Sequence, residues 1–122
     1  MQQKRRPCLG IWRVVFFLLM LTPTTASAGT RELTVVNIET PQAVKIWEPT
    51  TITVKKGDTV KLKLINKTEQ EHGYRIVDFK VEKVVQGGQA ETVEFTADKE
   101  GIFTIDCQLH PAHVQGQLIV LP

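Results

Sequence analysis

Near the C-terminus a cysteine and two histidines fall within seven residues, Cys107-Gln108-Leu109-His110-Pro111-Ala112-His113. A thiolate is a soft donor and imidazole a borderline one, so this pairing suits copper or zinc. A Cys at the end of a strand and a His three residues later, on a short Pro-containing loop, can converge on one ion. The remaining histidine of the three in the chain, His72, lies in the other half, in Glu71-His72-Gly73 between two strand candidates. A folded sandwich can bring that segment beside the C-terminal loop. Each residue alone has a plainer reading: a lone Cys is most often a small buried hydrophobe, and a loop His is most often only polar surface. Together they read as a metal site, because a free thiol in an oxidising compartment is a liability unless it is occupied.

The compartment follows from the N-terminus. Lys4, Arg5, Arg6 and Arg13 form a positive segment, Val14 to Leu21 is apolar, and Ala26-Ser27-Ala28 supplies small residues for a peptidase. The apolar run is too short to span a bilayer comfortably. No Cys follows it to carry a lipid. Residues 1–28 are therefore expected to be a cleaved secretory signal leading to the periplasm, with no membrane anchor afterwards. Arg5-Arg6 leaves twin-arginine export open beside the general route. Cleavage removes four of the 15 basic residues and none of the 13 acidic ones, which turns a formal charge of +2 into −2. A nucleic-acid partner recruited by net charge is then excluded. Cys8 leaves as well, so Cys107 has no intramolecular disulfide partner in the mature chain.

The elements that must position these residues read as short strands. Leu33–Ile38, Val44–Trp47, Thr51–Val54, Thr59–Asn66, Tyr74–Val77, Lys80–Val85, Ala90–Thr96, Ile102–Cys107 and Gln117–Leu121 are β-branched or alternating runs bounded by Pro, Gly or Asp. In Thr59–Asn66, Val60, Leu62 and Leu64 share one face and Lys61 and Lys63 the other, the period of two of a strand with one face buried. Val93 and Phe95 face inward in one later strand, and Phe103, Ile105 and Cys107 share a face in another. The spacing predicts an all-β chain: a Greek-key antiparallel β-sandwich of seven or eight strands forming one domain over residues 29–122. Trp47 reads as a core or rim aromatic, and Lys55, Lys56, Lys61, Lys63 and Lys67 as a solvated hairpin face.

Three segments carry a family resemblance: Ile52-Thr53-Val54-Lys55-Lys56-Gly57-Asp58-Thr59-Val60, Glu71-His72-Gly73-Tyr74-Arg75-Ile76, and Gly101 to Pro111. They resemble the cupredoxin-like domains, in particular small periplasmic members such as the EfeO-type domains and the copper domain of cytochrome c oxidase subunit II. The resemblance implies a Greek-key sandwich holding one copper ion, with His72, Cys107 and His110 as its equatorial ligands. Blue copper proteins usually add an axial Met, and both methionines here, Met1 and Met20, lie in the signal segment. Gln115 in the phytocyanin manner, a non-coordinating Val114, or His113 are the alternatives. A set with His113 is similar to nitrosocyanin, whose site includes a Glu, and Glu71 is the nearest acidic residue. The loop has no second Cys, which excludes a dinuclear centre.

A weak axial contact favours electron transfer, with Phe103, Ile105 and Leu109 shielding the sulfur. Ligation by His113 favours copper handling. The leading expectation is an electron carrier with a redox partner protein. Its rival is a copper or iron delivery module with a metal acceptor, and a third reading is a metal-free interaction domain. No Ser-His-Asp arrangement, phosphate loop or paired carboxylates are present, so the chain is not expected to be an enzyme.

Overall fold

The structure, a computed structural model, describes residues 27–122. The expected signal segment thus lies outside the described residues, apart from Ser27 and Ala28. Among the described residues there are nine strands, one 3-10 turn at Val77–Phe79 and no α-helix. The strands are β1 (Thr30–Glu39), β2 (Lys45–Glu48), β3 (Thr51–Lys55), β4 (Thr59–Asn66), β5 (His72–Ile76), β6 (Val81–Val85), β7 (Ala90–Thr96), β8 (Gly101–Ile105) and β9 (Gly116–Leu121).

One sheet has the order β2-β1-β4-β7 and a second β3-β9-β8. The two-stranded ladder β5-β6 extends the second sheet through a bridge between Arg75 and Asp106. The all-β sandwich expectation holds, with two corrections. There are nine strands rather than seven or eight, and the sheets are mixed rather than antiparallel. β1 runs parallel to β4, pairing Thr30 with Thr59 through Asn37 with Asn66, and β3 runs parallel to β9. The cause is the step between β2 and β3. Only Pro49 and Thr50 separate them, Pro49 has no N–H to continue a ladder, and the chain crosses there from one sheet to the other. Alternation of side chains is the same in parallel and antiparallel strands, so it reports the buried face and not the neighbour.

The core lies between the sheets. Val60, Leu62 and Leu64 of β4 are fully buried against Tyr74, Ile76, Val85 and Leu118. Lys63 points outward, as the alternation requires. Trp47 belongs to this core, not to the rim. At about 25 cal/mol per Å² such burial is the main force holding the sheets together, and it fixes the faces of β5 and β8 that carry the site.

The end of the sandwich remote from the histidines is tied by Asp58. Its carboxylate accepts the N–H of Gly29 (2.9 Å), the N–H of Lys55 (3.0 Å) and Nε of Arg31 (3.1 Å). Gly57 beside it has φ +90°, a conformation that a side chain would disfavour. The two backbone N–H groups, followed by Arg31, hold the Asp58 carboxyl below its ordinary value of 3.8. A depressed folded-state value means the unfolded chain takes up the proton first. The stabilisation is therefore complete above about pH 3.8 and is lost as the pH falls below it. Asp58→Asn should lower the melting temperature by several degrees at pH 7, and thermal melts of both proteins should converge near pH 2. An equal gap at both pH values would show that the charge is not what matters.

Candidate metal centre

Two strands deliver the metal-ligating residues. His72 opens β5, and Cys107 follows β8 by two residues, so both point from one end of the sandwich. Arg75 and Asp106 hold the two segments together. Their backbones exchange hydrogen bonds (2.8 and 3.0 Å), and the guanidinium grips the carboxylate through Nε (2.8 Å) and a terminal nitrogen (2.6 Å). The paired Arg75 keeps the Asp106 carboxyl below its ordinary value. His110 comes from the loop after Cys107, whose turn is closed by the His113 N–H on the His110 carbonyl (3.0 Å).

The donor atoms of His72, Cys107 and His110 all lie within 4.8 Å of one another. Cys107 Sγ is 3.6 Å from His110 Nδ1 and accepts the backbone N–H of Gly73 at 3.1 Å. That N–H fixes the position of the sulfur. A Cβ at Gly73 would meet the Gln108 amide, which occupies that space and would have to swing away. Its carbonyl accepts the indole N–H of Trp47 at 2.9 Å.

His72 is fully buried, yet neither ring nitrogen has a hydrogen-bond partner. A buried polar group without a partner costs about 1–3 kcal/mol, and native proteins rarely leave two on one ring. Burial first, then the nearby His113, His110 and Lys45, push its pKa from 6.5 to about 4, with Glu39 opposing. The ring is thus neutral at pH 7 and has a lone pair to offer. One thiol and two imidazoles converging here, with an orphaned buried imidazole among them, fit a soft or borderline metal ion.

The remaining candidates are placed differently. His113 is buried and packs against the His72 ring, with centroids 5.2 Å apart. Its Nε2 lies 2.8 Å from Asn37 Oδ1, and its Nδ1 lies 3.0 Å from the Val114 carbonyl. Gln115 lines a cavity of about 220 Å³, with Arg75, Gln108 and Pro111, that leads to Cys107. Val114 is 38% exposed. Glu71 is on the surface and accepts a hydrogen bond from Gln86 (2.9 Å), away from the cluster. Of the apolar residues expected to shield the sulfur, Ile105 is buried, Phe103 packs edge-on against Phe79 in the core, and Leu109 is 38% exposed. Asn37 and the Arg75–Asp106 pair were not anticipated. A polar residue within a strand carries no sequence signal that distinguishes a buried network from solvent exposure.

A family described as cupredoxin-like domain matches residues 11–120. No curated protein matches the chain. Among solved structures, a copper nitrite reductase from Nitrosomonas europaea superimposes with a TM-score of 0.66 at 22% identity, covering 76% of this chain and 42% of that one. A multicopper oxidase, mgLAC, superimposes with a TM-score of 0.64 at 20% identity, covering 76% and 39%. The chain thus spans less than half the length of either. Both are enzymes by name, so the expectation that this chain is not an enzyme is withdrawn; at these identities the likeness shows the fold, and the activities are said of those proteins alone. The motifs sought in the sequence concern hydrolysis and phosphate binding, and their absence does not bear on redox catalysis at a metal. The matched segment covers most of the sequence, and the chain belongs to the cupredoxin-like domain family.

Proposed function

We propose that the protein binds one copper ion through His72, Cys107 and His110 and passes electrons through it to a redox partner protein in the periplasm. The observation that carries this is His72, a fully buried neutral imidazole with both nitrogens unpaired, facing a cysteine and a second histidine. Copper held there supplies a one-electron couple, and thiolate–imidazole ligation suits fast transfer. The chain does the rest. The Gly73 N–H orients the sulfur, the Arg75–Asp106 clamp sets the spacing of the two strands, and Pro111 stiffens the loop behind His110. His110 is the ligand nearest solvent, and Leu109 and Val114 present apolar surface beside it, a fitting contact for a partner. The N-terminal export pattern supports the compartment. Among the described residues, no helix is long and apolar enough to cross a membrane.

Titration with Cu(II) should produce an intense visible thiolate-to-copper band that saturates at equimolar metal and disappears in Cys107→Ser. Voltammetry of the loaded protein should give a reversible wave. Absence of the band would sink the copper reading. A band without a reversible wave, in a protein that yields its metal readily to a competing chelator, would make the protein a delivery module instead.

The state of His72 adds a second expectation. Its value is lower in the folded chain than the ordinary 6.5, so unfolding takes up a proton between the two. Apoprotein stability should be flat above about pH 6.5 and fall as the pH drops towards about 4. Melting temperatures across this range should show that slope in the wild type and a shallower one in His72→Phe. Parallel curves would mean that His72 is not the group responsible.

A further inference from the structure

His113 looks at first like a fourth ligand, since its ring packs on that of His72. Its hydrogen bonds say otherwise, and their direction is set by the backbone. The Thr68 N–H donates to Asn66 Oδ1 (3.0 Å), and a backbone N–H cannot be turned around. Asn66 Nδ2 accordingly donates to the carbonyls of Gln70 (2.7 Å) and Val85 (3.0 Å). Asn66 Oδ1 also receives Nδ2 of Asn37 at 3.1 Å, which leaves Asn37 Oδ1 to face His113 Nε2 at 2.8 Å. An amide oxygen only accepts, and the one hydrogen of the neutral ring is assigned to Nε2, at the shorter of its two contacts with acceptors, so Nε2 has no lone pair for a metal. The other nitrogen faces the carbonyl of the next residue, Val114, whose own N–H is tied to the Lys45 carbonyl (3.0 Å). Both asparagines are fully buried, so turning the ring away would leave Asn37 Oδ1 without a donor.

We infer that the Asn66–Asn37–His113 relay holds His113 out of metal coordination and thereby biases the site against zinc. The inference rests on the ligand set proposed above. A sulfur and two imidazoles satisfy the three strong positions of a copper site of this type. Structural zinc requires four good donors, and the third imidazole, which would be the fourth donor, is committed to Asn37. His113 is then a positioning residue: it closes one side of the His72 ring and also reaches Trp47, 6.4 Å away between centroids.

The test has one arm without metal. In the apoprotein, side-chain ¹H–¹⁵N spectra should show a slowly exchanging proton on His113 Nε2. In the second arm, zinc affinity is measured by chelator competition, with the Co(II) spectrum as a check on coordination number. Asn37→Ala should raise zinc affinity on the order of tenfold or more, and the double variant Asn37→Ala/His113→Phe should lose that gain. An unprotonated Nε2 in the wild type would overturn the inference. So would a wild type whose zinc affinity drops by a similar factor in His113→Phe, or a folded Asn37→Ala without any gain. Should Asn37→Ala fail to fold, the spectra and His113→Phe decide between these outcomes. A wild type with the Nε2 proton but no thiolate–copper band would instead place the failure in the ligand set.

Discussion

The site depends on the fastening of β5 to β8 at its open end. Residues more than thirty positions apart meet there through the reciprocal backbone bonds of Arg75 and Asp106 and their two-pronged ion pair. Arg75 lies three residues beyond His72, and Asp106 immediately precedes Cys107. The register of this one bridge therefore decides whether the imidazole and the sulfur face each other. Slippage by one residue would turn every side chain of the shifted strand to the opposite face. An exposed ion pair alone would contribute little, but here it is bidentate and backed by backbone bonds. The hydrophobic core below, with Ile76 and Ile105 buried on the same two strands, makes any other register costly.

Two kinds of buried polar group stand side by side in this end of the sandwich, and they differ in how they are satisfied. Asn37 and Asn66 have no exposed surface, and their amides are engaged by backbone, by each other and by His113. Such a network rigidifies the loops it joins. His72 is equally buried and has no partner for either nitrogen. Local rules are broken in native proteins chiefly where function requires it. The contrast sets His72 apart from the satisfied asparagines beside it; Tyr74 Oη and Gln108 Oε1 are also buried without a partner, but only on His72 do two such atoms belong to one ring beside Cys107 and His110.

Much of this was legible in the sequence because it rests on strand periodicity and donor chemistry. Thr59–Asn66 and Ala90–Thr96 emerge with the boundaries read from alternation, and the remaining strands shift by at most a few residues at their ends. His72, Cys107 and His110 converge as their types and flanking strands imply. What escaped depends on information that local pattern does not hold. Parallel pairing of β1 with β4 follows from a crossing at Pro49, and periodicity is blind to it. Asn37 shares the inward face of β1 with Val35, but its polar type gives no sign that the position is buried against His113. Leu109 reads as a shield because it is apolar, whereas its backbone position beside His110 leaves it exposed. Glu71 precedes His72 and so points to the opposite face, where it meets Gln86.

Gly73 shows why the site is built before any metal arrives. Its N–H holds the sulfur, its carbonyl holds the Trp47 indole, and its missing Cβ admits the Gln108 amide. Trp47 stands edge-on to Tyr74, with ring centroids 5.4 Å apart, so the residue that orients the sulfur is braced by the buried aromatic core. A first shell locked by packing and by outer hydrogen bonds moves little when its charge changes. His72 begins β5 and Cys107 directly follows the Asp106 bridge, so the fastening of the two strands and the aromatic core beneath them fix where both donors sit.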